Sequence, residues 1–194
     1  VMLFNRSIEG LDASAVQIEN REGGRLAADI LVETGHSRIA FIGGEEGDAT
    51  SAAREAGFVE RLAESDLNPM MHESGDYTFE SGLEAAHRLF SRKERPDAVF
   101  CASDVMALGV LHAARNNLGL DVPKDFSLIG FDDIPAAGWP GHELTTIRQP
   151  IRRMIREAVE CLIKNMEDNT LAPSIQKFEG RLILRKTVRS VMSD

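Results

Sequence analysis

The sequence predicts an α/β fold with a parallel sheet covered by helices on both faces, and three observations predict it. From Arg38 to Ile147, short apolar runs alternate strictly with helical runs, the pattern of βαβ units. The strand-like runs at 98–102 and 126–131 show no polar alternation, as expected of strands buried on both faces. Polar residues follow those runs directly, at the strand ends where open α/β sheets bind ligands.

Taken in order, residues 1–4 read as a short strand that runs into the polar turn Asn5-Arg6-Ser7, and 15–18 as a second strand. A helix over 24–33 carries Leu26, Ala27, Ile30 and Leu31 on one face and closes at Thr34-Gly35-His36. The strand 38–42 ends in Gly43-Gly44, and the helix 51–65 that follows turns Ala52, Ala56, Val59 and Leu62 inward. A weak strand near 70–73 leads to Gly75-Asp76-Tyr77 and a helix over 79–90, after which Arg95-Pro96 turns the chain into the central strand 98–102. Ser103 or Asp104 caps the helix 105–115, which Asn116-Asn117-Leu118-Gly119 stops and Pro123 keeps from resuming. Strand 126–131 delivers Asp132-Asp133 to its carboxyl end. A loop over 134–143 holds Trp139, and 144–147 is a further strand. Ile151, Met154, Ile155, Val159, Leu162, Ile163 and Met166 fall at helical spacing, so one face of a helix over 151–169 is expected to be buried. A last strand covers 182–184, and 191–194 is expected to fray.

Composition sets limits on function. With 194 residues, 43% hydrophobic, the chain can bury one good core or two small ones. A formal charge of -9 repels phosphate backbones, which argues against nucleic-acid binding through the general field of this piece. Cys101 and Cys161 lack metal or redox spacing and read as small buried residues of a reducing compartment. The longest apolar region, 98–114, is broken by Ser103, Asp104 and His112, so no membrane segment or signal peptide is expected. The first residue is Val1, so the chain is expected to be a fragment or a processed product.

Most chemical motifs fail on spacing. Gly43-Gly44-Glu45-Glu46 resembles a cyclase hairpin signature, but Gly47 follows it and a parallel crossover comes next. The five histidines include no zinc-type pair, and no P-loop, GxGxxG or nucleophile elbow is present, so no cofactor or metal is expected. Asp132-Asp133 could be a catalytic pair, but adjacent residues at a strand end point apart. What converges instead is a rim of polar residues at successive strand ends: Thr50 and Arg54, then Tyr77, then Ser103, then Asp132. A guanidinium, a carboxylate, hydroxyls and a ring together suit a polar, hydroxyl-bearing small molecule.

Ordered signatures then carry a family likeness. Thr34-Gly35-His36 with Arg38 to Gly44, Arg54-Glu55-Ala56-Gly57-Phe58, Ser103 to Gly109, Val122-Pro123-Lys124-Asp125, Gly130-Phe131-Asp132-Asp133 and Leu144 to Pro150 resemble the lactose/galactose repressor (LacI/GalR) family. The resemblance implies a type I periplasmic-binding-protein-like core in which an effector closes two lobes and changes operator affinity. Residues 1–34 and 151–178 would be part of the first lobe, and 35–147 with 180–188 the second, with crossovers near Gly35, Arg148 and Gly180. The DNA-binding head would lie outside this chain. Arg54 would grip effector hydroxyls or carboxylates, Asp132 would accept from them, and Tyr77 would stack. Ser103 stands where the family has Asn or Asp, which points away from a simple hexose. Thr50 would assist, and Asn20 and Glu22 would contribute from the first lobe, whereas Asp104 is read as a helix cap.

Leu108 and Trp139 resemble part of a dimer interface. The implied protein is a cytoplasmic, dimeric, non-enzymatic regulator that senses a sugar-like effector and contacts operator DNA only through its missing head. The alternatives are a sugar-binding protein of a transport system with the same fold, or an enzyme of the doubly wound class. The chain alone is expected to associate through the apolar faces of helix 151–166 and of Leu26, Ile30 and Leu31.

Overall fold

The computed structural model describes residues 1–5, 13–168 and 172–190. The turn expected at Asn5-Arg6-Ser7 runs into residues 6–12, outside the described part, as do residues 169–171 and 191–194. The chain divides into two compact units, Val1–Glu19 with Gln149–Gly180 and Asn20–Arg148 with Arg181–Asp194.

In the larger unit the alternating runs become α1 (Asn20–Glu33), β3 (Ile39–Gly43), α2 (Ala49–Ala63), β4 (Met71–Ser74), α3 (Phe79–Phe90), β5 (Ala98–Cys101), α4 (Asp104–Ala113), β6 (Ser127–Asp132), β7 (Thr145–Arg148) and β9 (Arg181–Ile183). β1 (Met2–Phe4), β2 (Ser14–Ile18), α5 (Ile151–Glu167) and β8 (Ile175–Phe178) form the smaller unit. The six strands of the larger unit lie in the order β4-β3-β5-β6-β7-β9, all parallel except β9, which runs antiparallel to β7. The chain leaves β3 toward β4 on one side and then returns past β3 to β5. Right-handed crossovers therefore put α2 on one face of the sheet and α3 and α4 on the other. The reversal of strand order between β3 and β5 is a topological switch point, the crevice where such sheets bind ligands.

Packing on the α2 face is aromatic: the rings of Phe41, Phe58 and Phe100 lie 5.0–6.0 Å apart, and all three are fully buried. The buried stripe of α2 is Ser51, Arg54, Gly57, Phe58 and Leu62. Of the expected stripe Leu62 is buried, Ala56 and Val59 are half-buried and Ala52 stands exposed, because the buried face runs through Arg54 and Gly57, which carry no apolar signal.

Helix α1 packs on α2 inside the larger unit, which corrects the expected boundary at Gly35 and the placing of residues 20–34 with the first lobe. The physical reason is a backbone-to-backbone crossing. A Cβ on Gly24 would stand 1.9 Å from the Arg54 carbonyl oxygen, and one on Gly57 1.9 Å from that of Arg21. Only glycine at both points lets the helices approach so closely. The second pair repeats the device, with Gly82 of α3 against the Met106 carbonyl oxygen and Gly109 of α4 against that of Phe79, each at 2.1 Å. Ile30 and Leu31 are buried in this packing, so the expected association through them does not hold.

Helix α4 does not stop at Arg115 but passes into one wide π turn, Ala114–Leu118, which Gly119 ends at φ 63°. The loop after β6 holds a short 3-10 turn, Pro135–Gly138.

The smaller unit is a parallel three-stranded sheet in the order β1 (Met2–Phe4), β2 (Ser14–Ile18), β8 (Ile175–Phe178), with α5 (Ile151–Glu167) against β1 and β2. Strand β8 was missed in the sequence because its side chains, Phe178 apart, are exposed or half-exposed. The apolar face of α5 is only partly covered, as the expected association through helix 151–166 requires. Met154 and Ala158 are buried, while Ile151, Ile155, Val159, Leu162, Ile163 and Met166 are all exposed. Cys161 is half-buried on this helix rather than fully buried, whereas Cys101 is fully buried in β5.

Candidate functional site

Arg54 is the hub of the switch point. It sits one turn into the buried face of α2, and only 3% of it is exposed. Its Nε donates to Asn20 Oδ1 at 2.9 Å, one terminal nitrogen donates to the carbonyl oxygen of Ala102 just after β5, and its plane lies over the Phe131 ring at 3.6 Å. Its other terminal nitrogen is 3.9 Å from Asp132 Oδ1. Burial pulls the guanidinium pKa down, and Asp132, Tyr77, Asp48 and Asp104 oppose that shift. Arg54 is therefore part of the core as well as of the rim: the same side chain packs α2 against the ends of β5 and β6.

Asp132 ends β6 at φ 117°, and Asp133 follows at φ 58°, two successive non-glycine residues in the left-handed half of backbone space. Such strain persists only where neighbours hold it. Asp133 is held by Arg148 Nε at 2.5 Å and Arg185 at 2.6 Å, one on each carboxylate oxygen. Although burial opposes it, the hydrogen bonds and charges of those two arginines keep the Asp133 carboxyl below its ordinary pKa. The acidic pair thus divides: Asp133 anchors β7 and the segment after β9, and Asp132, about a third exposed, faces Arg54. This is no catalytic dyad.

Tyr77 occupies the loop before α3 at φ 65°. Its ring lies over Gly44, where a Cβ would meet ring atoms at 2.4 Å, and its hydroxyl donates to Asp48 Oδ2. Burial, and then the hydrogen bond to Asp48, push the Tyr77 pKa up, so it stays protonated. Asp48, not singled out in the sequence, is the N-cap of α2, accepting from Ser51 N–H at 2.8 Å and Thr50 N–H at 3.3 Å. Burial alone would raise its pKa, but Tyr77, the two N–H groups and Arg54 outweigh that and hold it low. The available sequence signal was an Asp three residues ahead of Ser51 at a helix start.

Ser103 is 4% exposed and caps α4, accepting from Met106 N–H at 3.3 Å, so its hydroxyl is already engaged as an acceptor. Thr50 is half-buried in the first turn of α2. Asn20 joins the cluster, but from the larger unit, because α1 belongs there. Glu22 does not join: it is exposed in the first turn of α1, its charge acts on Arg25, and no hydrogen bond among the described residues links it to the rim.

Asp104, expected as a helix cap, is instead the first residue of α4, since Ser103 is the cap. It is fully buried, accepts from Thr146 Oγ1 at 2.6 Å and from Ile134 N–H at 2.9 Å, and so ties the start of α4 to β7 and to the loop leaving Asp133. Burial, with the nearby charges of Asp132 and Asp133, raises its pKa to about 7 against the pull of those two hydrogen bonds.

On the outer side of α4, Leu108 lines a surface hollow of about 310 Å³ with Phe79, Leu111, His112 and His142. Trp139, 58% exposed, stacks on His142 with centroids 6.2 Å apart. Among the described residues no group of three or more His, Cys, Asp or Glu could hold a metal ion, and no helix is long and apolar enough to cross a membrane.

Known proteins place this geometry. The "HTH-type transcriptional repressor PurR" of Haemophilus influenzae (strain PittEE) is 38% identical over 176 residues, 88% of this chain and 52% of that protein. The chain spans about half the length of the curated relatives it matches. The transcriptional regulator CelR, solved as a complex with cellobiose, superposes with a TM-score of 0.89 at 33% identity, over 96% of this chain and 58% of that one. A LacI transcriptional regulator from a Rhodococcus species superposes with a TM-score of 0.90 at 30% identity, over 98% of this chain and 70% of that one. These relatives are transcriptional regulators rather than enzymes. With the periplasmic binding protein-like domain matched over residues 28–188, the chain belongs to that family, in its lactose/galactose repressor branch.

Proposed function

We propose that the chain is the effector-sensing core of a transcriptional repressor. It takes a small, polar, hydroxyl-bearing molecule at the carboxyl ends of β3, β5 and β6 and couples its presence to operator affinity. The observation that carries this reading is the convergence of Arg54, Asp132, Tyr77, Ser103, Thr50 and Asn20 on the switch point of the larger unit. Asp132 is the main acceptor for ligand hydroxyls, Tyr77 offers a ring to an apolar ligand face, and Arg54 holds Asp132 in place.

DNA contact belongs to parts of the protein outside this chain, since the chain carries a formal charge of -9. Leu108 and Trp139 belong to the face that pairs with a second copy, and the site of action is the cytoplasm. No catalytic step is assigned to this chain.

Cellobiose, held by the similar CelR, is a suitable first probe. Calorimetry on the full-length protein with cellobiose and other neutral sugars, followed by footprinting at the promoter of its own gene, tests the reading. A ligand that binds should change operator affinity. Asp132→Asn should weaken ligand binding by about 10- to 100-fold, the equivalent of one charge-assisted hydrogen bond. Ligand affinity unchanged by Asp132→Asn would move the site away from the rim. Arg54→Ala is a poorer probe, because loss of the buried guanidinium also loosens α2.

A further inference from the structure

Proteins hold anionic ligands with two devices, a guanidinium presenting a bidentate fork and the free N–H groups of a helix N-terminus. At this rim both devices are already engaged by the protein itself. Arg54 has Nε on Asn20, one terminal nitrogen on Ala102, its plane over Phe131 and its other terminal nitrogen 3.9 Å from the Asp132 carboxylate, so its fork is not open to a ligand carboxylate or phosphate. Arg148 and Arg185 are committed to the two oxygens of Asp133.

The helix starts are closed in the same way. Asp48 receives the N–H groups of Thr50 and Ser51 at the start of α2, and Thr78 Oγ1 that of Ser81 at the start of α3. Ser103 Oγ receives that of Met106 at the start of α4. At α2 the cap is itself a carboxylate, and it stands against the hydroxyl of Tyr77, beside the exposed Glu45 and Glu46. An anionic group approaching that ring meets a negative charge where the helix would otherwise attract it.

We infer that this rim selects neutral or amine-bearing polyhydroxylated ligands and rejects anionic ones, with Asp48 as a residue that determines that choice. The inference rests on the effector-site reading above and narrows its ligand class. Asp48 acts through its field rather than by touching the ligand: its oxygens are occupied by two N–H groups and the Tyr77 hydroxyl, but its charge remains.

The test uses ligand pairs in which one member carries an added anionic group, titrated into the full-length protein by calorimetry. The pairs include glucose with glucose 6-phosphate and with glucuronate, glucosamine with glucosamine 6-phosphate, cellobiose with cellobionate, and polyols and nucleosides with their phosphates. For any pair that binds, the neutral or amine-bearing member should bind at least about tenfold more tightly. Asp48→Asn keeps an N-cap acceptor and a partner for Tyr77 while removing the charge. It should narrow that ratio by about five-fold, the size of one charge interaction at partial solvent screening. An anionic member that binds more tightly than its neutral parent overturns the inference and leaves the effector reading intact. An unchanged ratio in Asp48→Asn removes Asp48 from the selection. If no member of any pair binds, the effector reading itself fails and the inference goes with it.

Discussion

Helices α3 and α5 carry equally clear apolar stripes, yet one is covered and the other is not. α3 buries Ala85, Ala86, Leu89 and Phe90 between the sheet and α4, whose backbone it approaches at Gly82. α5 buries Met154 and Ala158 against β1 and β2 and leaves Ile155, Val159 and Ile163 about half exposed, at 48%, 50% and 49%. Periodicity tells which residues share a face. Whether anything covers that face depends on elements far away in sequence, and among the described residues α5 packs mainly on β1 and β2.

Truncation should separate the two helices most strongly. Leu89→Ala, at a position with no exposure, should cost about 2–5 kcal/mol, because the site loses both transfer energy and packing. Ile163→Ala on α5 should stay within about 0.5 kcal/mol in this chain. Urea-unfolding midpoints of the two variants measure the difference, and comparable losses would break the contrast.

A smaller effect tests the close crossing that covers α3. A methyl at Gly82 would stand 2.1 Å from the Met106 carbonyl oxygen, so the backbone must shift. Gly82→Ala should cost about 1–3 kcal/mol as an overpacking change. Gly24→Ala, at the matching point of α1 and α2, should behave alike, whereas a helix-interior glycine in open space would gain from the same substitution. A gain at either site, read by thermal unfolding, would mean that the crossings are looser than they stand here.

The smallest effect concerns His36, at the end of α1. Its ring is buried, with Nδ1 against Thr34 Oγ1 at 2.9 Å and Leu31 O at 3.2 Å, and with Nε2 lacking a hydrogen-bond partner among the described residues. Burial first, and then the charge of Arg189, lower its pKa below the ordinary 6.5. The neutral ring is the form that suits the fold, so the unfolded chain binds the proton more readily. His36 should therefore support the fold fully above pH 6.5, and that support should fade as pH falls from there through the lower folded value. The stability difference between the native chain and His36→Asn, followed from pH 8 to 5, should shrink toward acid. A difference independent of pH would show that the ring is not held neutral.

The order of elements in the larger unit, the parallel sheet and the rim of polar residues were legible in the amino-acid sequence. Each rests on a local signal: apolar runs of strand length, caps and glycines at element ends, and polar residues directly after β3, β5 and β6. The sequence also singled out Arg54, Tyr77 and Asp132, as polar residues following successive strands. What only tertiary structure decided is how those groups are used. Asp48 and Asp104 became central because folding brings Tyr77, Thr146 and Ile134 to them from 29, 42 and 30 residues away. Arg54 turned from an open grip into a buried hub because Asn20, Ala102 and Phe131 converge on it. The boundary moved from Gly35 to Glu19 because two glycines let α1 and α2 cross at backbone contact. Hydrogen-bond partners and close approaches are pairwise facts in three dimensions, and no periodicity along one chain records them.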